Sequence, residues 1–251
     1  MTKRTPVIAG NWKMNTDIKS SRELALQILE LTDEVTGVTK IVCPPFVTIA
    51  EVSELLHGSS IQVGAQNVNS NPDGAFTGEI SVSMLSGLVN TVIVGHSERR
   101  TLNGESSALV AAKAKAASNA GITPIICTGE SINVRDSGDA VSFVSHQLSE
   151  SLESFTDWES LIVAYEPVWA IGSGQAATSE QAQEMALICR QVIRELSGNM
   201  ADSVPVLYGG SVNSVNISEF ICQPDIDGAL VGGSSLKAKE YSKLVHIAAT
   251  Y

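Results

Sequence analysis

The 251-residue chain predicts an α/β fold: a closed (β/α)₈ barrel of eight parallel strands ringed by helices, formed as one domain over residues 1–251. Three observations carry this expectation. Short β-rich runs recur along the whole length, and the segments between them place apolar residues at helical spacing. The chemically capable residues fall just after those runs, where a barrel builds its active site.

Val7 to Ala9 opens the series, and the next segment sets Leu24, Ile28 and Leu31 at helical spacing. The runs Lys40 to Cys43, Ile61 to Gly64, Thr91 to Val94, Pro124 to Cys127 and Leu161 to Tyr165 follow, each reading as a buried parallel strand. A later helix is marked by Met185, Ile188, Val192 and Leu196, before the last two runs, Val204 to Tyr208 and Ala229 to Val231. Strands separated by helices run parallel, because a hairpin cannot join parallel neighbours, and eight such units can close without a sheet edge. An open doubly wound sheet is the alternative; against it, no complete dinucleotide fingerprint sits in the first turn.

Composition bounds the function. A formal charge of −11 argues against general nucleic-acid binding, which needs a broad basic surface. An anionic ligand must instead meet a local positive site, so single lysines and helix N-termini carry more information than net charge. No run reaches membrane-spanning length and the N-terminus shows no cleavable apolar region, so a soluble, cytoplasmic protein is expected. Cys43, Cys127, Cys189 and Cys222 are scattered without zinc-site or redox spacing, and are expected to be reduced and buried.

The candidate residues follow strands one, four, six, seven and eight. They are Asn11 and Lys13, then His96 in Gly95-His96-Ser97-Glu98-Arg99-Arg100, then Glu166-Pro167, then Gly209-Gly210-Ser211, and finally Gly232-Gly233. Singly, Lys13 also reads as a solvated lysine, His96 as a hydrogen-bonded loop histidine, and each glycine pair as an ordinary turn. Glu166 is harder to dismiss, since it ends an apolar strand and precedes Pro167, which stiffens the backbone there. Glycines after strands seven and eight let backbone N–H groups approach an anion, and Lys13 could supply a positive charge from across the mouth. The segment from Pro167 to Gly174 has a stiff start, an apolar centre and a glycine-rich tip, which suits a lid; the other reading is a buried loop with Trp169 in the core.

At these residues the chain resembles the triosephosphate isomerase family over essentially its full length. The resemblance rests on Gly10-Asn11-Trp12-Lys13-Met14-Asn15, Val94 to Arg100 and Ala164 to Gly172, supported by Gly74 to Glu79 and Tyr208 to Val212. It implies a TIM barrel that interconverts dihydroxyacetone phosphate and glyceraldehyde 3-phosphate, a step of glycolysis and gluconeogenesis, without metal or organic cofactor. By the same match Glu166 is the base, His96 the neutral electrophile, and Lys13 and Asn11 bind and polarise substrate. Gly172, Ser173, Ser211, Gly232 and Gly233 hold the phosphate. The resemblance also implies a homodimer, in which the loop from Gly74 to Glu79 inserts Thr77 near the partner's Asn11 and Lys13.

The chain departs from the family pattern at Ser173, Gln175 and Ala176 in the lid, at Thr128 within Cys127-Thr128-Gly129-Glu130, and at Thr101-Leu102-Asn103. These changes spare the lysine, histidine and glutamate, and are expected to tune rather than abolish activity. A barrel for another sugar phosphate would alter that set. A non-catalytic phosphosugar-binding barrel, the alternative of a different class, would be expected to have lost Glu166 or His96.

Overall fold

The computed structural model describes residues 4–171 and 177–251. Its strands are β1 (Val7–Asn11), β2 (Thr39–Cys43), β3 (Ile61–Ala65), β4 (Thr91–Val94), β5 (Thr123–Thr128), β6 (Ile162–Tyr165), β7 (Val206–Tyr208) and β8 (Gly228–Val231). Each pairs in parallel with the next, and β1 pairs with both β2 and β8, with Val7 opposite Thr39 on one side and Gly228 on the other. The sheet is therefore a closed barrel in sequence order.

Around it run α1 (Ile18–Thr32), α2 (Ile49–Leu55), α3 (Val82–Leu85), α4 (Ser97–Asn103), α5 (Ser107–Asn119), α6 (Ile132–Asp136), α7 (Ala140–Ser151), α8 (Ser179–Ser197), α9 (Ile217–Ile221) and α10 (Ala238–Ala248). Asp17 starts α1 through a capping box with Ser20, and Thr178 starts α8 through another with Gln181. The last helix, α10, packs on α1 and completes the ring.

Strand residues alternate between two cores, which is why the strands read as unbroken apolar runs. Val7, Ala9, Ile41, Cys43, Ile93, Ile125, Cys127, Ile162, Ala164, Leu207 and Leu230 fill the barrel. Ile8, Val42, Val63, Val94, Ile126, Val163 and Val206 join the core that includes the buried helix faces. The interior is tight at β3, where a Cβ on Gly64 would lie 2.5 Å from Thr91 Oγ1 and 2.6 Å from Cys43 Sγ.

The sequence boundaries hold to within two residues, with instructive differences. β1 runs on to Asn11, and β7 begins only at Val206. Pro205, just before it, has no N–H for the ladder, although its carbonyl accepts the Val163 N–H at 3.0 Å. The helical stripes also drift: Leu31 and Leu196 are exposed, and the stripe of α1 closes on buried Thr32. Cys43, Cys127 and Cys189 are buried free thiols as expected, but Cys222 is exposed just beyond the short helix α9.

Candidate active site

The mouth at the C-terminal strand ends begins with a backbone constraint. Asn11, buried at the end of β1, accepts the Lys13 N–H on Oδ1 at 3.0 Å, a local turn that holds Lys13 at φ +52°. That left-handed conformation costs a residue with a Cβ about 1–2 kcal/mol. The Lys13 carbonyl is held from the other side by Gln66 Nε2 at 2.9 Å. The lysine is thus fixed at its base, and its ammonium pairs with the Glu98 carboxylate across the mouth.

His96 follows β4 through Gly95, whose φ of +67° turns the chain sharply into α4. The imidazole caps that helix: Nδ1 accepts the Glu98 N–H at 3.2 Å. A backbone N–H can only donate, so Nδ1 carries no proton, and the ring's single proton sits on Nε2. Nε2 lies 2.9 Å from Glu166 Oε1. This is a neutral imidazole offering one N–H to a carboxylate.

Glu166, one residue past β6, is almost wholly buried and accepts two further bonds beside that imidazole. Ser97 N–H donates to Oε2 at 2.9 Å and Ser97 Oγ to Oε1 at 3.2 Å. Burial alone would raise the carboxyl's pKa, but His96 and Ser97 outweigh it and hold it below the ordinary value. Burial likewise disfavours the His96 imidazolium, yet the adjacent Glu166 carboxylate outweighs it and raises the imidazole's pKa. Two glycines make room for Glu166. A Cβ on Gly129 would fall 1.7 Å from the Glu166 carbonyl oxygen, and one on Gly209 2.9 Å from Glu166 Cγ.

A cavity of about 830 Å³ occupies the mouth, lined by Asn11, Lys13, His96, Ser211, Gly232 and Gly233 among others. These residues, far apart in sequence, border one space. Glu166 does not line this space; it faces a smaller cavity of about 250 Å³ behind His96 and Ser97. At the opposite wall, Gly233 opens a single helical turn to Leu236, too short to satisfy its own first amides. A Cβ on Gly232 would lie 3.6 Å from Lys13 Cε, so the lysine stem crosses directly in front of that turn. The turn at Gly232 and Gly233 and the stem of Lys13 thus border the same space.

The segment expected to act as a lid starts from a docked turn. Val168–Ala170 form one helical turn, Trp169 Nε1 donates to Glu130 Oε1 at 2.8 Å, and the Arg135 guanidinium stands 5.0 Å above the Trp169 ring. Trp169 is half-buried, packed against the core while its N–H reaches a carboxylate. Ser211 Oγ donates to the Ala170 carbonyl at 3.3 Å, linking the seventh loop to the lid's root. Gly172, Ser173, Gln175 and Ala176 lie outside the described residues. Among the described residues, no three His, Cys, Asp or Glu side chains form a group able to hold a metal ion.

The sequence model of triosephosphate isomerase matches residues 6–248. The chain belongs to the triosephosphate isomerase family. It is 46% identical over 247 residues to the triosephosphate isomerase of Dehalococcoides mccartyi, covering 98% of both chains, and 47% identical over 247 residues to that of Roseiflexus, covering 97% of both. The triosephosphate isomerase of Corynebacterium diphtheriae is 46% identical over 257 residues, with 98% of each chain covered.

Three residues of this triosephosphate isomerase mouth escaped assignment from sequence. Ser97 and Glu98 lie inside the run quoted with His96, but their partners Glu166 and Lys13 are 69 and 85 positions away, beyond any local pattern. Glu130 accepts from Tyr165 Oη at 3.0 Å, from Arg135 at 2.9 Å and from Trp169. The available signal was positional: a carboxylate two residues past β5, at the catalytic end of the barrel.

Proposed function

We propose that Glu166 is the base of the isomerisation that comes with this family membership, the interconversion of dihydroxyacetone phosphate and glyceraldehyde 3-phosphate. The observation that carries the assignment is the single His96 N–H held on Glu166 beside the mouth in which the Lys13 stem passes the Gly232 turn. The phosphate seats on the amides of Gly232 and Gly233 with Ser211, joined by Gly172 and Ser173 of the lid. Lys13 supplies the opposite charge, and Asn11 borders the same space.

Substrate binding calls Glu166 out of its parking place on Ser97. Leaving the Ser97 donors and His96 removes the interactions that depress its pKa, while burial, which raises it, remains. The carboxylate becomes a stronger base as it reaches the substrate. It takes a proton from the carbon beside the carbonyl, leaving an enediolate, and returns that proton to the neighbouring carbon. The freed His96 Nε2–H turns from Glu166 to the substrate oxygens, where negative charge develops, and Lys13 stabilises the same charge. Lid closure excludes water from the intermediate.

The working unit on this reading is a homodimer. Residues 71–79 are all exposed, and Phe76 among them accompanies Met14, Val47, Met84 and Leu102, large exposed apolar side chains that follow four consecutive strands. Such a concentration supports an interface, with Thr77 at the inserted tip. The enzyme serves glycolysis and gluconeogenesis in the cytoplasm; among the described residues no helix is long and apolar enough to cross a membrane.

A coupled assay of glyceraldehyde 3-phosphate conversion, with chelator present and Glu166→Gln beside wild type, tests the assignment. Rapid turnover lost in the variant is expected. Folded protein that binds phosphate but never turns over would instead indicate a non-catalytic phosphosugar-binding barrel.

A further inference from the structure

Gln147 lies on α7, whose buried face is Val144, Leu148 and Ser151, and it turns its carboxamide onto the end of β5. Oε1 accepts the Gly129 N–H at 2.9 Å and the Thr128 hydroxyl at 2.8 Å. The first bond settles the orientation of the amide, since a backbone N–H needs an acceptor; the threonine must then donate as well.

These two residues carry the main chain of the base. The Thr128 carbonyl accepts the Glu166 N–H at 2.8 Å, and Gly129 is pressed against the Glu166 backbone at a distance no Cβ could occupy. Arg100 grips the same strand end, donating to the Cys127 carbonyl and to Ser151 Oγ, each at 3.0 Å. Ser151 Oγ in turn donates to the Gln147 carbonyl at 2.6 Å. The cavity of about 250 Å³ that Thr128, Gln147 and Glu166 line leaves this face of the strand end incompletely packed, so hydrogen bonds fix its height.

We infer that Gln147 is a positioning residue for the Glu166 carboxylate, acting through Thr128 and Gly129. The inference rests on Glu166 being the base. One carboxylate that must serve two adjacent carbons tolerates little displacement, so loosening its backbone anchor slows proton transfer. The phosphate-binding amides at Gly232 and Gly233 belong to the far wall and are untouched by that change. The Thr128 hydroxyl adds a second donor to the clamp.

Steady-state kinetics of Gln147→Leu, Gln147→Glu and Glu166→Asp, with competitive inhibition by inorganic phosphate, test the inference. Gln147→Leu is expected to lower kcat by about tenfold to a hundredfold while KM and phosphate inhibition stay within about twofold. Gln147→Glu retains an acceptor oxygen and should recover most of kcat. Its new negative charge should raise the apparent pKa of the base in the kcat–pH profile. Wild-type kcat in Gln147→Leu, or equal impairment of the two Gln147 variants, overturns the inference. Should Gln147→Leu fail to fold, Gln147→Asn, too short to reach both donors, decides: a lowered kcat with KM and phosphate inhibition unchanged supports the clamp, and wild-type kcat overturns it. Unimpaired Glu166→Asp would overturn the base assignment itself, which separates the two failures.

Discussion

His96 Nε2 stands 2.9 Å from Glu166 Oε1 while His96 Nδ1 is occupied by the Glu98 N–H. The imidazole has one proton to give, and the carboxylate holding it is the proposed base. On that assignment, parking the base and arming the electrophile are one event: a Glu166 that leaves for the substrate frees the N–H in the same movement.

The first prediction concerns the coupled titration. Burial and Lys13 both disfavour the His96 imidazolium, and the Glu166 carboxylate is the main influence that raises its pKa. In Glu166→Gln the imidazole should therefore titrate below its ordinary value of about 6.5, and in wild type above it. Imidazole nitrogen shifts measured by NMR across pH check this. Equal values in the two proteins would show that the contact is absent in solution.

The same pair gives a stability window with a definite sign. The depressed Glu166 pKa stabilises the fold above the unfolded carboxylate value and is lost as pH falls through the folded value. The raised His96 pKa stabilises it below the unfolded imidazole value and is lost as pH rises through the folded one. Both contributions overlap between about pH 4.5 and 6.5. Urea unfolding should show the largest stability gap between wild type and Glu166→Gln inside that interval. A gap that keeps growing above it would refute the coupling.

Much of this was legible in the sequence, for physical reasons. Strands buried on both faces must be apolar throughout, so β4 could be bounded to the residue from Thr91 to Val94. Glu166, His96 and Lys13 stood out because chemistry in a barrel gathers past the strand ends. What could not be read is rotameric and long-range. Nothing local to Glu166 says that its carboxylate points away from the mouth toward Ser97, and nothing near Lys13 names Glu98 as its partner. Cys222 misled because burial is a property of where α9 ends, and a five-residue helix leaves that end in solvent.

Glycine substitutions beside the base should diverge. A Cβ at Gly129 would fall 1.7 Å from the backbone carbonyl oxygen of Glu166, which cannot yield without moving the end of β6, whereas one at Gly209 meets the Glu166 Cγ at 2.9 Å, a side-chain atom that can shift, and the Tyr165 carbonyl oxygen only at 3.2 Å. Gly129→Ala is expected to destabilise by about 3 kcal/mol or more, at the upper end of overpacking costs. Gly209→Ala should fold and instead lose turnover by displacing the carboxylate. Thermal unfolding and kcat, measured together on both variants, distinguish the two effects; similar losses of stability would contradict the packing argument.

Glu130 offers a test of the lid's anchor. One oxygen, Oε1, accepts from Tyr165, Trp169 and Arg135. Glu130→Gln removes the charge those donors share and places an N–H₂ group among them. A loss of about 1–3 kcal/mol in stability is expected, with altered Trp169 fluorescence and a raised KM as the root of the lid loosens. Wild-type fluorescence and KM would show that the anchor does not govern the lid.

The last prediction concerns the exposed loop of residues 71–79. Phe76 is 45% exposed and Met14, beside the strained Lys13 backbone, is 97% exposed, an arrangement that leaves large apolar surface in water unless a second copy covers it. On the proposed homodimer, Phe76→Glu places a charge in the interface and should shift sedimentation from dimer to monomer; an unchanged sedimentation coefficient would refute that interface. The monomer should lose activity even though Phe76 is not assigned to the chemistry, because Lys13 would lose the neighbour that restrains its loop. Restored activity at high protein concentration, where the dimer re-forms, would tie the loss to assembly; a fully active monomer would refute the dependence of the Lys13 loop on a partner.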